Sequence, residues 1–123
     1  MLIVDTDTSQ VRAICEALHS AFRAPTVWMA RSSQEAIKVL SRHQELQWDL
    51  VVLDHDLEMS DRLEGGNGQT VAMAMRQIGT RAKRVIIQSL NARGAEAMHG
   101  ILHPHYKVSR VPFPGALDII RAG

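Results

Sequence analysis

Leu50-Val51-Val52-Leu53-Asp54-His55-Asp56-Leu57 is the stretch that decides the fold. Its first four residues are apolar at every position, the pattern of a strand covered on both faces in a parallel sheet; a half-exposed strand would alternate. The run then ends abruptly in Asp-His-Asp, so the strand delivers titratable groups to its carboxyl end. A buried parallel strand needs crossover connections, usually helical, and the flanking sequence supplies them.

Upstream, Leu2–Val4 is a short apolar strand that ends in Asp5-Thr6-Asp7. Thr8 offers a helix cap before the apolar positions Val11, Ile14, Cys15, Leu18 and Phe22. Pro25 closes that helix, and residues 26–30 form a β-branched and aromatic run suited to a second strand. Ser32 with Glu35 three residues later has the form of a capping box, and Ala36, Ile37 and Leu40 give the second helix its apolar face. Downstream, residues 58–68 read as a polar, Gly-rich loop that could close over a pocket as a lid. A third helix follows with Val71, Ala72, Met75 and Ile78 on one stripe. Residues 84–88 read as the fourth strand, and Ala95, Met98, Ile101 and Leu102 as the face of a fourth helix. Residues 106–111 give a fifth strand and 116–121 a short fifth helix. Met73, Met75 and Met98 read as core fillers.

Five strands alternating with five helices predict a flavodoxin-like (βα)5 three-layer α/β sandwich with a parallel sheet in the order 2-1-3-4-5. The 123 residues suffice for one domain over 1–123. In such sheets ligands bind beyond the carboxyl ends of the strands, where the order reverses between the first and third strands.

Hydrophobic residues make up 46% and charged residues 22%, the balance of a soluble globular protein. The longest apolar runs are far below the roughly 18 residues a membrane-spanning helix needs, so no membrane partner is expected. Two acids precede any basic or long apolar leader region, and a cytoplasmic location is expected. A net charge of +1 gives no electrostatic ground for a protein that coats nucleic acid. The Arg81, Lys83 and Arg84 cluster is explained by a solvated strand entry. Cys15, the lone cysteine, reads as a small buried hydrophobe.

Asp5 and Asp7 at the end of the first strand, with Asp54 and Asp56 at the end of the third, put as many as four carboxylates on one edge. Packed like charges raise one another's pKa, and the usual relief is a hard divalent cation, Mg²⁺ or Mn²⁺, bound by oxygen ligands. The competing reading is that Asp5, Asp7 or Asp56 caps a turn or a helix. After the fourth strand, Ser89, Asn91 and Arg93 offer a hydroxyl, an amide and a guanidinium ahead of a helix, groups suited to phosphate. Ser89 and Asn91 could equally cap that helix. His55 lies between two acids and is the best acid/base candidate, unless strand alternation turns it from the face that Asp54 and Asp56 share. His99 and His103 have i, i+4 spacing but no matched partner, and read as helix-end histidines.

Taken whole, the chain resembles a two-component response-regulator receiver domain. Asp5, the Glu35-Ala36 pair, the 49–54 run, Gly68, Ser89 and Pro112-Phe113 fall where that family has them. The resemblance implies Asp54 as phosphoacceptor and Ser89 as switch hydroxyl. Thr6 splits the acidic pair, the loop after Asp54 is longer, and Val111 replaces the Lys that precedes the Pro.

Locally the chain is more similar to the receiver-like family described as cyclic-phosphate-processing. That family carries Leu-Asp-His-Asp-Leu, matched by 53–57, a Gly before the third helix, matched by Gly68, and His-Ser-x-Asn-x-x-Gly-x-x-x-Met, matched by Ser89, Asn91, Gly94 and Met98 with Gln88 in place of the His. The expected function is then a metal-dependent domain that binds and processes a phosphate ester, with Asp54, His55 and Asp56 as the catalytic set. Its partner would be a phosphate-containing small molecule or a nucleic-acid end. The alternatives are a signalling receiver phosphorylated on Asp54, meeting a protein through its fourth helix, fifth strand and fifth helix, and a binding module without chemistry.

Overall fold

The structure, a computed structural model, describes residues 1–57, 66–113 and 115–122. Among the described residues the strands are β1 (Leu2–Val4), β2 (Trp28–Ala30), β3 (Gln47–Trp48), β4 (Val51–Leu53), β5 (Arg81–Ala82), β6 (Val85–Gln88) and β7 (Val108–Val111). The described helices are α1 (Thr8–Ala21), α2 (Ser33–Arg42), α3 (Gly68–Ile78), α4 (Ala92–Leu102) and α5 (Gly115–Arg121). The main sheet runs β2-β1-β4-β6-β7 with every pair parallel, which is the expected order 2-1-3-4-5 once the two-residue strands are set aside. The small β3-β5 pair was not expected; it brackets the entries to β4 and β6.

Side-chain alternation along the central strands makes the two cores. Leu2, Val4, Val51, Leu53, Val85 and Ile87 face a core closed by α2, α3 and α4 through Leu40, Met75 and Met98. Ile3, Val52 and Ile86 face the other side, closed by Ile14 and Leu18 of α1 and Leu117 and Ile120 of α5. All nine strand residues are fully buried, so removing any one side chain leaves a cavity worth roughly 2–5 kcal/mol for a Leu or Ile cut to Ala.

Several local readings need correction. Asp7, not Thr8, caps α1: its carboxylate accepts the N–H groups of Ser9 and Gln10 at 3.0 and 3.1 Å and the Ser9 hydroxyl at 2.7 Å. Ser32 caps α2 by accepting the Glu35 N–H at 3.1 Å, while the Glu35 carboxylate reaches back to the Arg31 N–H at 2.9 Å. Met73 is 52% exposed and fills no core, because it lies off the stripe of Val71, Ala72 and Met75. Cys15 is only partly buried against the second core. Asn67 caps α3 through a reciprocal pair with Thr70, so the helix begins at Gly68 itself. Residues 58–65, where the lid was expected, lie outside the described residues. Among the described residues no helix is long and apolar enough to cross a membrane.

Candidate functional site

Parallel register builds the site. Val4 pairs with Leu53 and Leu53 with Ile87, so the next residues, Asp5, Asp54 and Gln88, stand in one row at the carboxyl edge. Gln88 in turn pairs with Val111 at the end of β7. Continuing the alternation, this row falls on the side of α1 and α5. A cleft of about 300 Å³ opens there, lined by Asp5, Thr6, Asp7 and Gln10 from the first βα connection, Asp54 and Asp56 from the second, and Gln88, Ser89, Leu90 and Phe113. Among the described residues, four carboxylates therefore line it and no Lys or Arg does.

Asp5 is 2% exposed. It accepts the Asp7 N–H at 3.0 Å and the Gln88 Nε2 amide at 2.9 Å. Burial raises its pKa, against the lowering effect of those hydrogen bonds. Asp54 accepts the His55 N–H at 2.8 Å and is pushed up to about 6, first by burial and then by the neighbouring Asp5 and Asp56 charges; the Ser89 hydroxyl opposes the shift. Asp7 is held below the usual carboxylate range by the Ser9 hydroxyl and the Gln10 N–H, as a capping group should be.

His55 turns away from this row, as alternation allows. Its Nδ1 lies 3.0 Å from Asp56 Oδ1 and 3.2 Å from Asn91 Nδ2, and its Nε2 lies 3.4 Å from Gln69 Oε1. Asn91 caps α4 with its Oδ1, which accepts the Gly94 N–H at 2.9 Å, so its Nδ2 is the end left to face the imidazole. The ring lies flat against Gly94, where any Cβ would overlap it. Gly68 is constrained in the same way: its N–H donates to the His55 carbonyl at 2.9 Å, and a Cβ there would run into the Asp54 carbonyl and the Met98 sulfur. The glycines, Asn91 and Met98 of the sequence motif thus form the seat of His55.

The structure brings Asp5, Asp7, Asp54, Asp56 and Ser89 to the cleft and places His55 and Asn91 behind it. Arg93 is exposed on the first turn of α4 and does not line the cleft. The four carboxylates do not form one ligand sphere: among the described residues, no three His, Cys, Asp or Glu side chains stand together as a metal cage. Asp7 is spent on its cap and Asp56 leans to His55. Asp5 and Asp54 remain, adjacent, buried or half-buried, with further oxygen donors beside them. That donor set fits a hard divalent cation that keeps most of its waters. Sequence reasoning missed Gln88 and Gln69 as partners of Asp5 and His55: Gln88 stands at the motif His but meets Asp5 only through sheet register, and Gln69 meets His55 only through the packing of α3.

Arg110 does not compensate for the missing basic residue at Val111. Val111 packs with Phe113 in the core on the cleft side. Arg110 lines a separate groove with Ile87, Ala92 and Ala95. One residue of displacement has moved it to the opposite face.

Fold, edge row and cleft define a receiver domain. The chain belongs to the cyclic-phosphate processing receiver domain family, which it matches over residues 6–104. Among curated proteins none matches it. Two solved structures are similar to it in fold. The Mn²⁺-bound form of response regulator Rcp1 has a TM-score of 0.66 at 17% identity, covering 98% of this chain and 88% of that one. The phosphorylated cyanobacterial phytochrome response regulator RcpA has a TM-score of 0.65 at 18% identity, covering 98% and 87%.

Proposed function

We propose that this receiver domain binds a divalent cation and hydrolyses a phosphate ester of the cyclic-phosphate class. The observation that carries the reading is the gathering of four carboxylates in one cleft, since a phosphate entering it meets their like charge unless a cation stands between. Asp5 and Asp54 would hold Mg²⁺ or Mn²⁺, which would supply Lewis-acid polarisation of a phosphoryl oxygen. The Ser89 hydroxyl would turn its proton from Asp54 to a phosphate oxygen, and Arg93 with the amino end of α4 would offer further favourable potential to an anion. His55 is suited to moving a proton because Nδ1 has a partner in either state: Asp56 accepts when it is protonated, and Asn91 donates when it is not. Water adds across the strained ester, one P–O bond breaks, and a phosphomonoester leaves.

The test is turnover of a cyclic mononucleotide and of a cyclic-phosphate-ended oligonucleotide with and without Mn²⁺. Metal-dependent hydrolysis, lost in Asp54→Asn and lowered about 10²-fold or more in His55→Gln, is expected. No binding of either ester in the presence of metal would end this reading.

A second reading, phosphorylation of Asp54 as a signalling receiver, is favoured by the contact between Asp54 and the Ser89 hydroxyl. In that case the partner would meet α4, β7 and α5, near the 91%-exposed Leu90. Because Val111 brings no cation to the acceptor, acetyl phosphate with Mg²⁺ is expected to leave no stable acyl phosphate. A stoichiometric phosphoryl mass gain, absent in Asp54→Asn, would establish the second reading in place of the first.

A further inference from the structure

We infer that Gln88 is a positioning residue of the cation site, its two amide ends acting in opposite directions. The side chain is 2% exposed and lines the cleft in the register row, between Asp54 and Val111. Its Nε2 donates to Asp5 Oδ2 at 2.9 Å, which fixes the amide orientation: turning it over would set a carbonyl oxygen against a carboxylate. The other end, Oε1, is then left buried with no hydrogen-bond partner among the described residues. A buried amide oxygen without a donor is costly, since it has given up its hydrogen bonds to water. Together with a cleft that holds four acids, this points to a missing donor, and a water of a cation's hydration shell supplies it.

In this arrangement Nε2 steers one Asp5 oxygen while the Asp7 N–H holds the other, and Oε1 accepts from a cation-bound water. The amide does both without adding charge, which suits a site already crowded with carboxylates. Hydrogen-bond partners of this kind commonly contribute 10–100-fold to metal affinity. The inference rests on the cation-binding part of the proposed function.

Mn²⁺ titration calorimetry on the native protein and on Gln88→Leu, paired with metal-free melting curves, tests it. Expected is a loss of Mn²⁺ affinity of about tenfold or more in Gln88→Leu among folded protein, while the metal-free melting temperature reports separately the loss of the Nε2–Asp5 bond offset by removal of the orphaned acceptor. Gln88→Met, closer in shape, serves if the Leu variant fails to fold. Native binding with affinity unchanged in the variant, or a fall in metal-free stability alone, would overturn the role of Gln88 and leave the cation reading standing. Absence of Mn²⁺ binding by the native protein at millimolar concentration would overturn both.

Discussion

The two ends of the sheet carry hollows of similar size and opposite chemistry. At the carboxyl end, about 300 Å³ is lined, among the described residues, by four aspartates and no basic group. At the amino end, about 260 Å³ is lined by Lys83, Arg84 and Lys107, a single acid in Asp49, and apolar side chains such as Phe22, Leu50 and Ile119. Volume does not separate them. The difference lies in how the charges are held: Asp5 is buried in a hydrogen-bonded row, while Lys83 and Asp49 meet at 3.2 Å with both side chains more than half exposed. Solvated charges neutralise themselves cheaply, and buried like charges do not. The carboxyl end therefore stores unfavourable electrostatics that a ligand can release, and the amino end stores none of note.

Helix α4 runs from one end to the other, so its two glycines give the sharpest test of that contrast. Gly94 lies against the His55 ring, whereas nothing stands within 4 Å of a Cβ built on Gly100. Gly68→Ala should be the most damaging change, by about 3 kcal/mol, because its Cβ would meet Asp54 backbone and the Met98 sulfur at 2.5 Å. Gly94→Ala should cost about 2 kcal/mol, since a ring held by three polar partners must shift. Gly100→Ala should instead stabilise by about 0.5–1 kcal/mol. Urea unfolding measures all three; a tolerated Gly68→Ala would show that the carboxyl end is as loosely built as the amino end.

The next effect in size is electrostatic. A folded-state pKa of about 6 for Asp54, against an ordinary value of 3.8, means the folded protein holds this proton more tightly than the unfolded chain does. Stability from this group is thus full below about pH 4, falls as pH rises from 4 to 6, and stays reduced above. Discounted for its partial exposure, the loss is about 1–2 kcal/mol. Asp54→Asn should be more stable than the native protein by that amount at pH 7.5 without metal, and equal to it near pH 4. Added Mn²⁺ should stabilise the native protein at pH 7.5, as any ligand selective for the folded state does, and the variant far less. An Asn variant no more stable than native at pH 7.5 would remove the electrostatic half of the contrast.

These contrasts were unevenly legible in the sequence. The order of the main strands could be read because residues 50–53 and 85–87 are apolar at every position, and continuous burial has one common cause in a chain of alternating strands and helices. The β3-β5 pair could not, because two residues carry no period. Met73 was placed in the core by residue type where helical spacing should have ruled. At the site, the carboxylates followed from motif residues and the cap that Asp7 makes was one of two readings open for it, yet the lean of Asp56 to His55 and the seat that Gly94 and Asn91 give the ring are decided by local geometry. The Gln88–Asp5 bond joins residues 83 apart in the chain. Only register brings them together, and no local pattern encodes it.

The smallest expected effect belongs to the amino end. Lys83→Met removes the Asp49 ion pair there and one of three cations around the hollow. An exposed pair gains little Coulomb energy in water, and ordering two long side chains offsets much of it, so the change in stability should stay below about 0.5 kcal/mol. Salt separates this from a buried contribution: screening at 0.5 M or more should erase the difference between Lys83→Met and native, because both charges stand in solvent. The Lys83 stem lies along the apolar lining, and Met keeps most of that contact, so the charge alone is tested. A loss above 1 kcal/mol that persists in high salt would mean that the amino end, too, holds charge in a desolvated setting. The two ends would then differ in sign alone and not in how their charge is stored.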